Sequence, residues 1–187
     1  MSETWLNPEE GSTLLLLARE TIEATVTESP LPEIPLHQLT QGLQLQLGAF
    51  VTLKIRAELR GCIGEMNWER PVYKNIIRAA IGSALHDPRF NPLAEEEIAR
   101  IQIETTILGV LQKIPSAEQF DPLLHGIQLE VSGRRAVFLP QVAQETGWGR
   151  EKLLESLCLK AGLVRDAWKH PQAVFKIFTT QEFAEVV

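Results

Sequence analysis

The chain has 187 residues, 44% of them hydrophobic and 22% charged, which is the balance of a folded globular chain and excludes a disordered or fibrous one. Its formal net charge of −6 argues against nucleic acid as the principal partner, because nothing in the overall field would draw in a polyanion. Residues 1–10 carry no basic, then apolar, leader pattern, and no stretch reaches the roughly 18 apolar residues of a membrane span, so a cytoplasmic location is expected.

Asn7-Pro8-Glu9-Glu10 reads as a helix start, with an Asx cap, proline at the first helical position and acids at the positive end of the dipole. Leu14, Leu17, Ala18, Ile22 and Val26 follow at helical spacing and define its core face. Prolines at 30, 32 and 35 make the next segment an extended connector. Leu43, Leu45 and Leu47 alternate with glutamines, which predicts a half-buried strand ended by Gly48; Val51, Leu53 and Ile55 predict a second, running on to Cys62.

A three-residue loop, Arg56-Ala57-Glu58, would set Ile55 against Leu59, Leu53 against Gly61 and Val51 against Ile63, whereas a two-residue loop would place Arg60 beside Ile55, a poorer match, though three-residue loops usually want a glycine that this turn lacks. Pro71 opens a helix with apolar residues at 72, 76, 77, 80, 81 and 84, and Pro88 stops it just after His86-Asp87. Asn91-Pro92 repeats the cap-plus-proline signal for a short acidic helix, and Ile101, Ile103, Thr105 and Ile107 alternate as a strand. Two strands near 127–131 and 135–139 flank a turn at Ser132-Gly133-Arg134; helices over 141–146 and 151–161 follow, the latter stopped by Gly162, and 173–179 is the last strand expected. Hairpin-like grouping without strict β-α-β alternation predicts an α+β fold with mainly antiparallel sheets.

Chemistry concentrates around Cys62. Arg60 and Cys62 share a strand face about 7 Å apart, and with Lys54 they would give the thiol two cationic neighbours that favour its thiolate. Gly61 and Gly64 bracket the cysteine, and glycine within a strand marks close approach of a ligand, a bulge or another backbone. The competing reading is a small cysteine packed under a helix, which residue type alone favours. His86 sits where it could act as base to Cys62, or bond the free carbonyls of its helix end; Asp87 and Arg89 could bind substrate or merely tie the corner. His125 precedes Gly126 in a loop from which it could reach a cleft. Cys158 lies on the stripe Leu153, Leu154, Leu157, Ala161 and reads as core; the two cysteines, far apart in sequence, suggest no disulfide and no zinc pattern. Phosphate loops, dinucleotide fingerprints, zinc-protease and serine-hydrolase motifs are absent, so no cofactor is assigned.

The hexapeptide Leu59-Arg60-Gly61-Cys62-Ile63-Gly64 resembles the signature of the AMMECR domain family, and the likeness extends in order through Gly48–Leu53, His86-Asp87-Pro88-Arg89-Phe90, His125-Gly126, Phe138–Val142, Trp148 and Lys160–Leu163. It implies one AMMECR domain over 1–187, core about 8–184, of two intimately joined subdomains: a two-lobed fold of antiparallel sheets flanked by helices, with a cleft between the lobes. Relatives are often encoded beside, or fused to, a MEMO-like protein and a radical SAM enzyme, which implies a shared pathway of unsettled chemistry. This chain departs from many relatives in having no glycine at the Arg56–Glu58 turn.

Two readings stand. In the first, Cys62 is a nucleophilic or redox thiol, Arg60 activates it and binds an anionic substrate, His86 or His125 moves the proton, and Gly61, Gly64, Asp87 and Arg89 line the site. In the second, the glycine-bracketed strand docks a ligand or a MEMO-like partner without chemistry. Nucleic-acid regulation would need a basic face, which Lys54, Arg56, Arg60 and Arg134-Arg135 supply in small measure.

Overall fold

In the computed structural model, which describes residues 4–185, Asn7 caps helix α1 (Pro8–Val26) reciprocally with Glu10: its side chain accepts the Glu10 N–H at 2.9 Å and Glu10 accepts the Asn7 N–H at 2.9 Å. Leu14, Leu17, Ala18 and Ile22 are buried as their spacing requires. Buried Glu10 also accepts from the Thr40 hydroxyl, which anchors the following connector to the helix start.

The segment 41–47 is not the strand that its alternation predicts. It runs in turns, with Gln44 N–H bonded to Gln41 O and Leu45 N–H to Gly42 O, and buries Leu43 and Leu47 while Leu45 faces out. Four-residue burial had been disguised as two-residue alternation. The carbonyls of Leu43 and Leu45 receive the N–H groups of Tyr73 and Val72, the first residues of helix α2 (Val72–Ile81). Strand β1 is Gly48–Ile55, so Gly48 begins a strand where it was expected to end one.

Strand β2 (Glu58–Glu65) pairs antiparallel with β1. Val51↔Ile63 and Leu53↔Gly61 hold as predicted, but the connection is a two-residue turn: Arg56 and Ala57 have φ of 53° and 67°, and Ile55 meets Glu58. A register shift between Leu53 and Lys54 leaves Arg60 as the extra residue of a bulge. The turn sets one register, the core pairing another, and the bulge reconciles them. After α2 the backbone widens into a π turn, Gly82–His86. Residues 95–100 then form a 3₁₀ turn entered from Ala94, not a helix capped at Asn91. Strands β3 (Gln102–Leu108) and β8 (Thr180–Ala184) complete a sheet of order β2-β1-β3-β8; β8 had no counterpart among the predicted strands.

The second sheet has order β4-β7-β5-β6, from β4 (Gln112–Ile114), also unpredicted, β5 (Gly126–Val131), β6 (Arg134–Phe138) and β7 (Val174–Phe178). The β5–β6 turn is Ser132-Gly133, at φ 50° and 77°, one residue shorter than predicted. Helices α3 (Pro140–Thr146) and α4 (Arg150–Lys160) fall where proline and Gly162 bound them. The fold is α+β with two antiparallel sheets, and the chain divides into two compact units: Gly109–Thr180, and the described residues up to Leu108 together with those from Gln181 on. Each has its own core; Ile22, Val51, Leu53, Ile76 and Ile103 lie in one and Phe120, Ile127, Leu129, Leu154 and Leu157 in the other. No helix among the described residues is long and apolar enough to cross a membrane.

Two consecutive non-glycine residues in the left-handed region make the β1–β2 turn a strained one, at a cost of about 1 kcal/mol or more each. Ala57→Gly is expected to raise the free energy of unfolding by about 1 kcal/mol in urea titration. A destabilised Ala57→Gly variant would show that the turn carries no such strain.

Candidate functional site

Cys62 lies on β2, the edge strand of the first sheet, so its backbone has no third strand to pair with. Two side chains from the corner after the π turn take that role. Asp87 Oδ2 accepts the Cys62 N–H at 2.8 Å, and Arg89 Nη2 donates to the Cys62 carbonyl at 3.2 Å. Asp87 and Arg89 also bond each other, Nε to Oδ1 at 2.9 Å and Nη2 to Oδ2 at 2.7 Å, and Oδ1 accepts the Arg89 N–H at 3.1 Å. The Asp87 side chain is 2% exposed and that of Arg89 53%. The Arg89 guanidinium, with the Cys62 and Arg89 N–H groups, holds the Asp87 carboxyl well below the usual carboxylate range against the opposing effect of burial. The same pairing raises the Arg89 guanidinium, with Cys62 adding to the shift. Asp87 is thus a fully occupied tie, not a group free to bind substrate, and Arg89 is the cation nearest in bonding to Cys62.

Arg60 does not play that part. As the bulged residue it reaches Glu97, through Nε at 2.8 Å and Nη2 at 2.7 Å, and the carbonyls of Asn91 and Pro92. Glu97 in turn accepts the Ala94 N–H at 2.9 Å, and bonding to Arg60 brings its carboxyl from 4.5 to about 2. Lys54, the other expected neighbour, pairs with Glu104 at 2.6 Å. Both cations assigned to the thiol are engaged elsewhere, because the bulge redirects one and a cross-strand acid takes the other. What touches the sulfur is its register partner: the Thr52 hydroxyl donates to Sγ at 3.3 Å. Cys62 is half-buried.

The glycines are explained by protein. A Cβ on buried Gly61 would come within 2.3 Å of the Ser83 carbonyl oxygen, and one on Gly64 within 2.3 Å of the Phe50 ring. The π turn lies directly on β2; Ser83 Oγ donates to Val51 O at 2.7 Å and accepts the Ile63 N–H at 2.8 Å, joining the turn to both strands. Close approach was read correctly from the glycines, but the approaching groups are a backbone carbonyl and an aromatic ring in place of a ligand. Thr52 shares the face of Cys62 as the strand pairing predicted, while Ser83 and Phe50 were missed; a serine within an apolar helical stripe was the one available signal for Ser83.

His86 ends the π turn with its side chain exposed. His125 belongs to the other unit, where its Nδ1 accepts the Asp121 N–H at 3.2 Å within its own loop. Cys158 is fully buried, and burial pushes its thiol up. Both cysteines are free, and among the described residues no three His, Cys, Asp or Glu side chains are placed to hold a metal.

Residues 15–183 match the sequence model of the AMMECR1 family. Similar proteins include one of Methanothermobacter thermautotrophicus, 35% identical with 96% of each chain covered, and one of Methanosarcina barkeri, 37% identical over 87% of this chain and 84% of that one. The crystal structure of an uncharacterized protein of Pyrococcus horikoshii, 32% identical, matches with a TM-score of 0.89 over 97% of this chain and 94% of that one.

Gly61→Ala is expected to destabilise by about 2–3 kcal/mol, since backbone blocks the new methyl, and Gly64→Ala by less, since a ring can turn aside. Urea unfolding that ranks them in the opposite order would contradict this packing. Asp87 and Glu97 are both depressed in the folded state, so their stabilisation is complete above the unfolded values near 4 and lost as pH falls through the folded ones. Unfolding free energy should therefore drop steadily as pH falls below 4.5 towards 2, and less steeply in Glu97→Gln, as followed by circular dichroism at fixed ionic strength.

Proposed function

This chain belongs to the AMMECR1 family, and from that membership we propose that Cys62 serves as its nucleophilic or redox thiol, within a pathway shared with a MEMO-like protein and a radical SAM enzyme. The observation that carries the reading is the fixing of Cys62 from three sides: Asp87 on its N–H, Arg89 on its carbonyl and Thr52 on its sulfur. Asp87 lends its buried carboxylate to the cysteine backbone and leaves the thiol itself half-exposed on the sheet face. A reactive group held in one geometry has less freedom to lose on reaching the transition state. Arg89, half in solvent, is the cation that an anionic substrate would meet beside the thiol, in the role first given to Arg60. His86, exposed one residue before Asp87, is the proton carrier in this proposal.

A docking role without chemistry has its own support. Leu59 within β2 and Met66 just beyond it are 40% and 46% exposed, and since Asp87 and Arg89 already hold the Cys62 N–H and carbonyl, a partner would dock on these apolar side chains and not by adding a strand. Gly61→Val cannot separate the two readings, since any side chain at 61 meets the Ser83 carbonyl and disturbs the fold.

Iodoacetamide applied to the folded chain should alkylate Cys62 at least about tenfold faster than the fully buried Cys158, as read by peptide mass spectrometry; faster labelling of Cys158 would remove the thiol from consideration. A strain carrying Cys62→Ser should match the metabolite profile of a deletion strain. A wild-type profile would instead leave docking as the function.

A further inference from the structure

The Arg89 guanidinium is clamped on one side and open on the other. Its Nε and Nη2 hold the Asp87 carboxylate at 2.9 and 2.7 Å, Nη2 also donates to the Cys62 carbonyl at 3.2 Å, and the group stands 5.6 Å from the centre of the Phe90 ring. Among the described residues Nη1 makes no hydrogen bond, so its two N–H donors are left for a bound molecule, in a position the Asp87 clamp fixes beforehand. The same guanidinium interacts with the Cys62 sulfur, which adds to the upward shift of Arg89. Free donor and sulfur are therefore neighbours around a single residue. With a donor-to-oxygen distance of about 2.9 Å and a sulfur approach of about 3–3.5 Å, a ligand that meets both carries its electrophilic carbon about one or two bonds from its anionic group. Charge limits the ligand further. Lys54 is cancelled by Glu104, Arg60 by Glu97 and Arg89 by Asp87, so a phosphate dianion finds no surplus of positive charge near the thiol, whereas a carboxylate needs only the open donors.

We propose that the substrate of this thiol is a small 2-oxo acid, with a carboxylate oxygen on Arg89 Nη1 and the adjoining carbonyl carbon over Cys62 Sγ. The inference rests on Cys62 being the nucleophile. A 2-oxo acid carries its electrophilic carbon directly on the carboxyl carbon, whereas a 2,3-unsaturated acid carries it one carbon further out. In the addition the sulfur forms a bond to the carbonyl carbon, the electron pair of the C=O π bond moves to oxygen, and that oxygen takes up the proton that the thiol gives away. Nothing leaves, and no oxidant or reductant is needed.

Alkylation of the full chain tests it, with peptide mass spectrometry reading the rates at Cys62 for iodoacetate and for iodoacetamide, which differ only in carboxylate against amide. The ratio of the first rate to the second should be at least about tenfold higher at Cys62 than for glutathione under the same conditions. Arg89→Gln should lose that excess while still reacting with iodoacetamide; because this change leaves Asp87 uncompensated, the double variant Asp87→Asn, Arg89→Gln is run beside it, with the fold of each checked by circular dichroism. On the unaltered chain, pyruvate should slow iodoacetamide labelling of Cys62 reversibly and saturably, at concentrations about tenfold or more below those at which acetone, which lacks the carboxylate, or propionate, which lacks the ketone, has the same effect. A ratio at Cys62 equal to that of glutathione would overturn the carboxylate contact, and protection by acetone or propionate as good as that by pyruvate would overturn the 2-oxo acid. Cys62 inert towards both iodo reagents would overturn the thiol reading itself, and this inference with it.

Discussion

A single buried carboxylate organises the first unit's edge. Asp87 takes the N–H of Cys62, the N–H of Arg89 and two guanidinium bonds, so its charge is compensated within the corner that carries it. Without Arg89 that carboxylate would be an uncompensated charge in the interior, and without Asp87 the edge strand would offer an open N–H at its cysteine. The π turn is what delivers Asp87 to this spot: Ser83 bonds both β1 and β2, its carbonyl fills the space over Gly61, and the chain leaves the helix at the height of Cys62. Helix, strand and corner are therefore one construction, with a thiol on its outer side.

The β1–β2 hairpin shows how a local conflict determines which residue meets the thiol. A two-residue turn and the pairing of Val51 with Ile63 differ by one residue, and that residue is Arg60. Bulging sends its guanidinium to Glu97, where it braces the 3₁₀ turn, and leaves Arg89 to face the cysteine. Arg60 and Arg89 both lie over the Phe90 ring, at 5.9 and 5.6 Å, so the two ion pairs share an aromatic floor. Charge at this corner is thus mostly spent on internal order, and the half-exposed Arg89 is the portion left facing solvent.

The second unit is organised differently. Its edge strand β6 is protected by Lys160, whose ammonium donates to Val137 O at 2.9 Å and lies 5.0 Å from the Phe138 ring. Burial pushes that ammonium down.

The sequence by itself determined the starts of α1 and α2 and the bounds of α3 and α4, the alternation of β3, the hairpin-rich α+β class and the core pairing of Val51 and Leu53 with Ile63 and Gly61, because caps, prolines and periodicity act over a few residues. It also marked Cys62 and its glycines as a place of close approach. Tertiary structure decided what approaches: Ser83 and Asp87 are about twenty and twenty-five residues from the cysteine, and no local pattern states which strand a helix end will cover. The turns at 41–47 escaped because burial at four-residue spacing leaves the same alternating letters as a strand, and β4 and β8 because short edge strands are specified by the neighbour they pair with. Which cation faces the thiol was likewise undecidable from spacing, since a one-residue bulge reverses the answer and its cause lies in the conflict between a turn and a core.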